Sequence, residues 1–195
     1  WLHEQEARAQ GLELTYELFD FDARGLADSA LPEMIESLRD SGYSGFNVTY
    51  PFKQAVAPLL DDLADSARLV GAVNTVAIRD GRMTGHNTDF LGFRDSVREG
   101  LPGASIQRVL QLGAGGAGAA VATALLSDGT QVLRIVDVDS ARATTLAAAL
   151  LARFPDRLVT VSDAKPGTVR EVDGIVNATP VGMAAYPGTP IDPAV

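Results

Sequence analysis

Four glycines fall within six positions in the stretch GAGGAG, Gly113 to Gly118, between the apolar run RVLQL and the alanine-rich run AAVATALL. A strand-like run that passes through glycines into a helix-like run dictates a strand, tight turn and helix unit, because glycine alone combines the turn with close backbone approach. Gly113, Gly115 and Gly118 fit the spacing G-x-G-x-x-G. The first allows the sharp turn, the second lets a diphosphate come close to the backbone, and the third lets helix and strand pack tightly. Ala114, Gly116 and Ala117 complete the loop, and a diphosphate would rest on the amide groups at the helix N-terminus. Glycines also mark ordinary turns, so the context has to carry the reading. The next strand-like run, QVLRIVDV, reaches Asp137, 19 positions after Gly118, where an acid would meet the hydroxyls of an adenosine ribose and repel a 2′-phosphate. Val138 follows it in place of an arginine, which favours NAD over NADP, although Arg134 and Arg142 lie close by. Asp139 or Ser140 can cap the following helix, leaving Asp137 free.

Around this loop the chain reads as strands alternating with helices. Arg108 to Leu112 is a strand, Ala117 to Ser127 a helix, QVLRIVDV a strand, Ala141 to Arg153 a helix, LVTV a strand and, after a short helix, GIVNAT a strand. Such alternation predicts a doubly wound parallel sheet of Rossmann type. Before Pro102 the pattern differs. LHEQEARAQGL reads as a helix, Glu13 to Phe21 alternates as a strand does, and LPEMIESLRDSG has helical spacing. GFNVTY is read as a strand, PFKQAVAPLL as a helix opened by Pro51, DDLADSARLVG as a helix ending at Gly71, and DFLGFRDSVREGLPG as a helix stopped by Pro102 and Gly103. AVNTVAIRDGRMTGHNT reads as a hairpin turning at Asp80 and Gly81. The expected class is therefore α/β with two domains, residues 1–102 and residues 103–195. The chain starts without methionine inside a helical pattern and stops within TPIDPAV, so it is read as a fragment lacking both termini.

With 46% hydrophobic residues the chain can bury a core, and it has no apolar run of the roughly 18 residues that span a membrane. Neither a membrane nor a signal peptide is expected, and a cytoplasmic protein is. No cysteine and only two histidines, His3 and His86, argue against a metal site. A formal charge of −9 with scattered basic residues argues against nucleic acid. The 16 basic residues are 14 arginines and two lysines, Lys53 and Lys165. Where arginine supplies surface charge, a lysine stands out, because its protonation can be tuned by a site and that of arginine cannot. Lys53, in NVTYPFK, is expected on the first turn of a helix entered from a strand end, and Asp89, in GHNTDF, where a strand hands over to a helix. Their plainer roles would be a solvated surface cation and a helix cap.

The stretches NVTYPFK, GAVNT, GHNTD, GAGGAG and NATPVGM, in this order and near this spacing, resemble the shikimate dehydrogenase family, and most closely its quinate/shikimate dehydrogenase branch. The resemblance covers nearly the whole chain. It implies a substrate domain followed by a Rossmann domain, with the active site in the cleft between them. It implies that Lys53 and Asp89 form the catalytic pair and that Asn47, Thr49 and Asn74 join them in holding the ring hydroxyls of the substrate. Thr179 and Met183 would flank the nicotinamide, although Met183 otherwise reads as a core residue. Asp137 with Val138 stands where NADP-using members carry asparagine and arginine. The family's hydroxyl pair for the substrate carboxylate would lie upstream of Trp1, and a returning C-terminal segment bearing a glutamine beyond Val195. The implied activity is NAD-dependent interconversion of quinate or shikimate with their 3-dehydro forms, by a monomer or homodimer. The alternatives are an NADP-dependent shikimate dehydrogenase, an aminoshikimate dehydrogenase, a two-domain dehydrogenase acting on a folate, and a ligand-sensing module without catalysis.

Overall fold

The computed structural model describes residues 2–163 and 166–191; Lys165 lies outside the described residues. Helix α1 covers Leu2–Ala9, α2 Leu31–Asp40, α3 Asp65–Val70, α4 Asp89–Gly100, α5 Gly116–Ser127, α6 Ser140–Arg153 and α7 Pro166–Arg170. The strands are β1 Gly45–Asn47, β2 Asp62–Leu63, β3 Thr75–Arg79, β4 Arg82–His86, β5 Arg108–Leu112, β6 Val132–Val136, β7 Leu158–Val161 and β8 Gly174–Asn177.

They form two four-stranded sheets. The first has the order β1-β3-β4-β2, with β1 antiparallel to β3, β3 antiparallel to β4 and β2 parallel to β4. The β3–β4 hairpin turns at Asp80 and Gly81, both at positive φ, as the sequence predicts. Its core is built on Ile35, Val56, Val73, Val76 and Met83. The second sheet, β7-β6-β5-β8, is parallel throughout. β5 is flanked by β6 and β8, so the strand order reverses at its C-terminal end, where the glycine loop begins. Such a reversal opens the crevice in which doubly wound sheets take ligands.

The second sheet is covered by α5 and α6, whose apolar faces join Leu133 and Ile135 in the larger core cluster. Val70, Ala72 and Phe90 belong to that cluster too, so the end of α3 and the start of α4 pack on the second lobe. Arg153 on α6 reaches the carbonyls of Arg68 and Leu69. The two lobes thus share a packed seam.

Two expected elements are absent. Residues 13–21 run without ladder pairing, because alternation marks an extended two-faced chain but does not supply a neighbouring edge to pair with. They line an open groove of about 1250 Å³ together with the edge of β1. The helix expected at PFKQAVAPLL is a succession of turns with one 3₁₀ turn, Ala57–Leu59. The Lys53 carbonyl accepts from Val73 N–H instead of from the fourth residue along, and Pro58 has no N–H to give a helix. Lys53 is therefore on a turn. The helix read across DDLADSARLVG begins only at Asp65, after β2.

Candidate active site

The ends of β1, β3 and β4 bring NVTYPFK, GAVNT and GHNTD to one edge of the first sheet, facing the glycine loop. Lys53 Nζ donates to Asp89 Oδ2 at 2.6 Å. Both side chains are partly buried, at 19% and 34% exposure. Asp89 is the first residue of α4, yet both its oxygens are used in the site: Oδ1 accepts from Asn74 Nδ2 at 2.8 Å. Capping falls to Asn87, whose Oδ1 accepts from Phe90 N–H.

From Asn74 the hydrogen bonds run on. Its Nδ2 also donates to Thr88 Oγ1, and its Oδ1 accepts from the Thr88 N–H and from Thr75 Oγ1. Thr75 Oγ1 in turn accepts from Asn47 Nδ2 at 3.2 Å, and Asn47 Oδ1 accepts from the Tyr16 hydroxyl. A continuous polar chain therefore links Lys53, Asp89, Asn74 and Asn47. Thr49 lies two residues beyond Asn47 on the wall of the open groove. Asn47 and Thr49 line that groove, whereas Lys53, Asn74 and Asp89 stand beside it toward the second lobe.

The glycine loop meets this group directly. A Cβ built on Gly116 would lie 2.7 Å from Lys53 Cβ, so the lysine stem passes against the loop with no room for a side chain. Gly113, at φ +99, sits where a Cβ would be 2.6 Å from the Ala178 carbonyl oxygen and 3.0 Å from Thr179 Cγ2. Thr179 is thus brought to the loop. A Cβ on Gly118 would be 2.3 Å from the Gly113 carbonyl oxygen, the close helix-to-strand approach that the third glycine of the motif permits. At Gly115 nothing lies within 4 Å of a Cβ, and no side chain caps α5 there. The loop therefore fits a dinucleotide, with open space at Gly115 and free amide groups of the first helical turn above it.

Asp137 is only 5% exposed and is fully engaged. Its Oδ2 accepts from Ala114 N–H at 2.6 Å and from Arg142 Nε at 3.3 Å, and its Oδ1 from Asp139 N–H and from an Arg142 Nη at 2.6 Å. Burial pulls its pKa up, but the Arg142 guanidinium and the two backbone N–H groups outweigh it and hold the carboxyl below its ordinary range. Asp139 caps α6 through the N–H groups of Ala141 and Arg142, as the sequence predicts. Val138 is fully exposed next to Asp137. Met183 is 61% exposed, which corrects its reading as core. Its N–H is held by the Pro180 carbonyl in the turn that follows Thr179.

Sequence reasoning missed Thr75, whose hydroxyl connects Asn47 to Asn74, and Thr88, whose hydroxyl accepts from Asn74. Position after a known asparagine was the only signal available. It also missed the pairing of Arg142 with Asp137, which the five-residue spacing across a strand-to-helix corner allows. Among the described residues, no group of three or more histidines, aspartates or glutamates is arranged to hold a metal, and no helix is long and apolar enough to cross a membrane.

A family model described as the shikimate dehydrogenase substrate binding domain matches residues 1–76. A shikimate dehydrogenase (NADP(+)) from Pseudarthrobacter chlorophenolicus is 50% identical over 193 residues, 98% of this chain and 66% of that protein. A quinate/shikimate dehydrogenase (NAD(+)) from Corynebacterium efficiens is 44% identical over 194 residues, 98% of this chain and 68% of that protein. The structure of quinate dehydrogenase from Corynebacterium glutamicum in complex with NAD superposes with a TM-score of 0.85 at 43% identity, covering 98% of this chain and 69% of that one. Shikimate 5-dehydrogenase from Listeria monocytogenes, in complex with shikimate and NAD, gives 0.79 at 28% identity, covering 96% and 66%. The chain thus spans about two thirds of the length of these proteins. Similarity of this extent, at these identities and over both lobes, makes the chain a member of the shikimate and quinate/shikimate dehydrogenase family.

Proposed function

We propose that the full-length protein is an NAD-dependent oxidoreductase that interconverts quinate or shikimate with 3-dehydroquinate or 3-dehydroshikimate by hydride transfer. The observation that carries this reading is the 2.6 Å contact of Lys53 with Asp89 on a lysine stem packed against Gly116 of the glycine loop. A proton-carrying pair adjoining a dinucleotide cradle is what carbinol oxidation needs. Residues 1–102 then act as the substrate lobe and residues 103–195 as the NAD lobe. Bound NAD supplies the hydride acceptor. Lys53 Nζ holds the reacting hydroxyl oxygen and, with Asp89, takes its proton as the carbon–oxygen double bond forms. In the reverse direction the ammonium stabilises the alkoxide-like charge on that oxygen and returns the proton. The proton is assigned to the pair, since strongly coupled groups titrate together. Asn74 orients Asp89, and Asn47 and Thr49 hold the remaining ring hydroxyls. Gly113 to Gly118, including Ala114 and Ala117, receive the diphosphate, Asp137 with Val138 beside it the adenosine ribose, and Thr179 and Met183 the nicotinamide side. The reading makes the protein a cytoplasmic monomer or homodimer acting on small molecules.

A second reading, an NADP-dependent shikimate dehydrogenase, is favoured by Arg142, which stands against Asp137 where a 2′-phosphate would arrive. It is favoured too by the 50% identical relative named for NADP(+). Asp137 and the absence of a basic residue at Val138 favour NAD. Initial rates of the full-length protein on quinate and on shikimate, each with NAD and with NADP, decide between them. Turnover with NAD exceeding that with NADP supports the first reading, and the opposite order the second.

A further inference from the structure

β5 is one of the two inner strands of the second sheet, and four of its five residues are buried. Three of these, Val109, Leu110 and Leu112, are aliphatic, and the fourth is Gln111 with no exposed surface at all. Its Nε2 donates to the carbonyls of Gly113 at 2.9 Å and Gly118 at 2.8 Å. Both partners are acceptors only, so the amide nitrogen has to face them. The amide oxygen then points away and has no hydrogen-bond partner among the described residues. An unsatisfied buried acceptor destabilises a fold, and leucine at this place would shift that cost to the Gly113 carbonyl by removing its Gln111 donor. The two loop carbonyls that Gln111 holds point to its role.

The Gly113–Ala114 peptide supplies it. Its carbonyl oxygen is held by Gln111 and its N–H by Asp137 Oδ2 at 2.6 Å. Gly113 is at φ +99 and has no Cβ, so no side chain of its own helps to fix that peptide. Two side chains, one on β5 and the other, the proposed ribose acid, just past the end of β6, clamp a single peptide plane from its two ends. The same Gln111 nitrogen ties the carbonyl of the loop's first glycine to that of its last.

We propose that Gln111 is a positioning residue of the dinucleotide site, fixing the Gly113–Ala114 peptide and, through it, the Asp137 carboxylate and the loop amides. This rests on the reading of the loop as the NAD site. It is tested in the full-length protein by Gln111→Met, which keeps the bulk and removes both donors and the unpaired oxygen. NAD binding measured by calorimetry should weaken about tenfold, as loss of two neutral hydrogen bonds implies, while kcat at saturating NAD and KM for the ring carboxylate stay within about twofold and the melting temperature falls by no more than about 5 °C. Because the clamp is shared, Gln111→Met should weaken NAD binding less in an Asp137→Ala background than alone. Unchanged NAD affinity in folded Gln111→Met, or full additivity in the double variant, overturns the proposal. So does an equal rise in both KM values with a lowered melting temperature, the mark of a merely structural role. Should Gln111→Met fail to fold, the same comparison is read on Gln111→Leu, which is apolar, close in bulk and likewise without a donor. Wild-type protein that binds NAD but turns over neither substrate would defeat the activity reading and leave this comparison standing.

Discussion

The two lobes build their halves of the candidate site from different material. In the first, the working groups are side chains: Lys53, Asp89, Asn74, Thr75 and Asn47 pass hydrogen bonds along the edge of a short mixed sheet. In the second they are mainly backbone, the glycine loop at the reversal point of a parallel sheet, with Asp137, backed by Gln111 beneath the loop, as the side-chain exception. Substitutions that delete a side chain should therefore hurt chemistry in the first lobe, and substitutions that add a Cβ should hurt binding in the second.

The strongest challenge to that division is Asp89→Asn. It keeps the shape and removes the charge opposite Lys53, so kcat should fall on the order of 100-fold with NAD affinity unchanged, as loss of a general acid–base partner implies. Stopped-flow turnover beside calorimetric NAD binding checks this, and a loss confined to NAD affinity would erase the distinction between the lobes.

Two glycines sharpen it next. Gly118→Ala places a Cβ 2.3 Å from a backbone oxygen, so the loop and helix must separate. Overpacking of this kind costs about 1–3 kcal/mol, read as a lowered melting temperature together with weaker NAD binding. Gly115→Ala meets nothing within 4 Å at an ordinary φ of −75. It should keep the melting temperature and weaken NAD binding about tenfold by blocking the diphosphate approach. If both variants melt alike and bind alike, the loop is only a turn.

A smaller effect is expected at the side-chain exception. Arg142→Ala frees Asp137 for the ribose and removes the cation nearest a 2′-phosphate, so the preference for NAD over NADP should rise roughly fivefold. The variant also tests the lowered pKa of Asp137. A carboxyl held down in the folded state adds stability above its unfolded pKa and loses it as pH falls through the folded value. Arg142→Ala should thus melt about 2 °C below wild type at pH 7, the exposed guanidinium limiting the effect, and the gap should close as pH drops below about 4. A gap that widens toward acid would contradict the pairing. Least of all should follow from Arg68→Ala, which breaks exposed pairs with Asp62 and Asp65 and should change stability by under about 0.5 kcal/mol.

The same contrast explains what could be read in advance. In the second lobe nearly every strand and helix bound falls within a residue or two of its reading, because a parallel sheet makes strand and helix alternate with a glycine turn between them. In the first lobe, Glu13 to Phe21 carries a strand's alternation without a ladder, and PFKQAVAPLL a helix's composition with its Lys53 carbonyl drawn off by Val73. Both depend on contacts distant in sequence. Lys53 and Asp89 were legible through the motifs around them, whereas Thr75, Arg142 and Gln111 are ordinary residues until folding shows which atoms they hold.

The central claim is that Lys53 moves the proton beside a backbone cradle that binds NAD without it. Lys53→Met in the full-length protein, assayed for kcat on quinate and shikimate together with calorimetric NAD affinity, tests it most directly. Turnover lowered by a factor of ~100 or more with NAD affinity within about twofold is the predicted result. Near-normal turnover in that variant would contradict it.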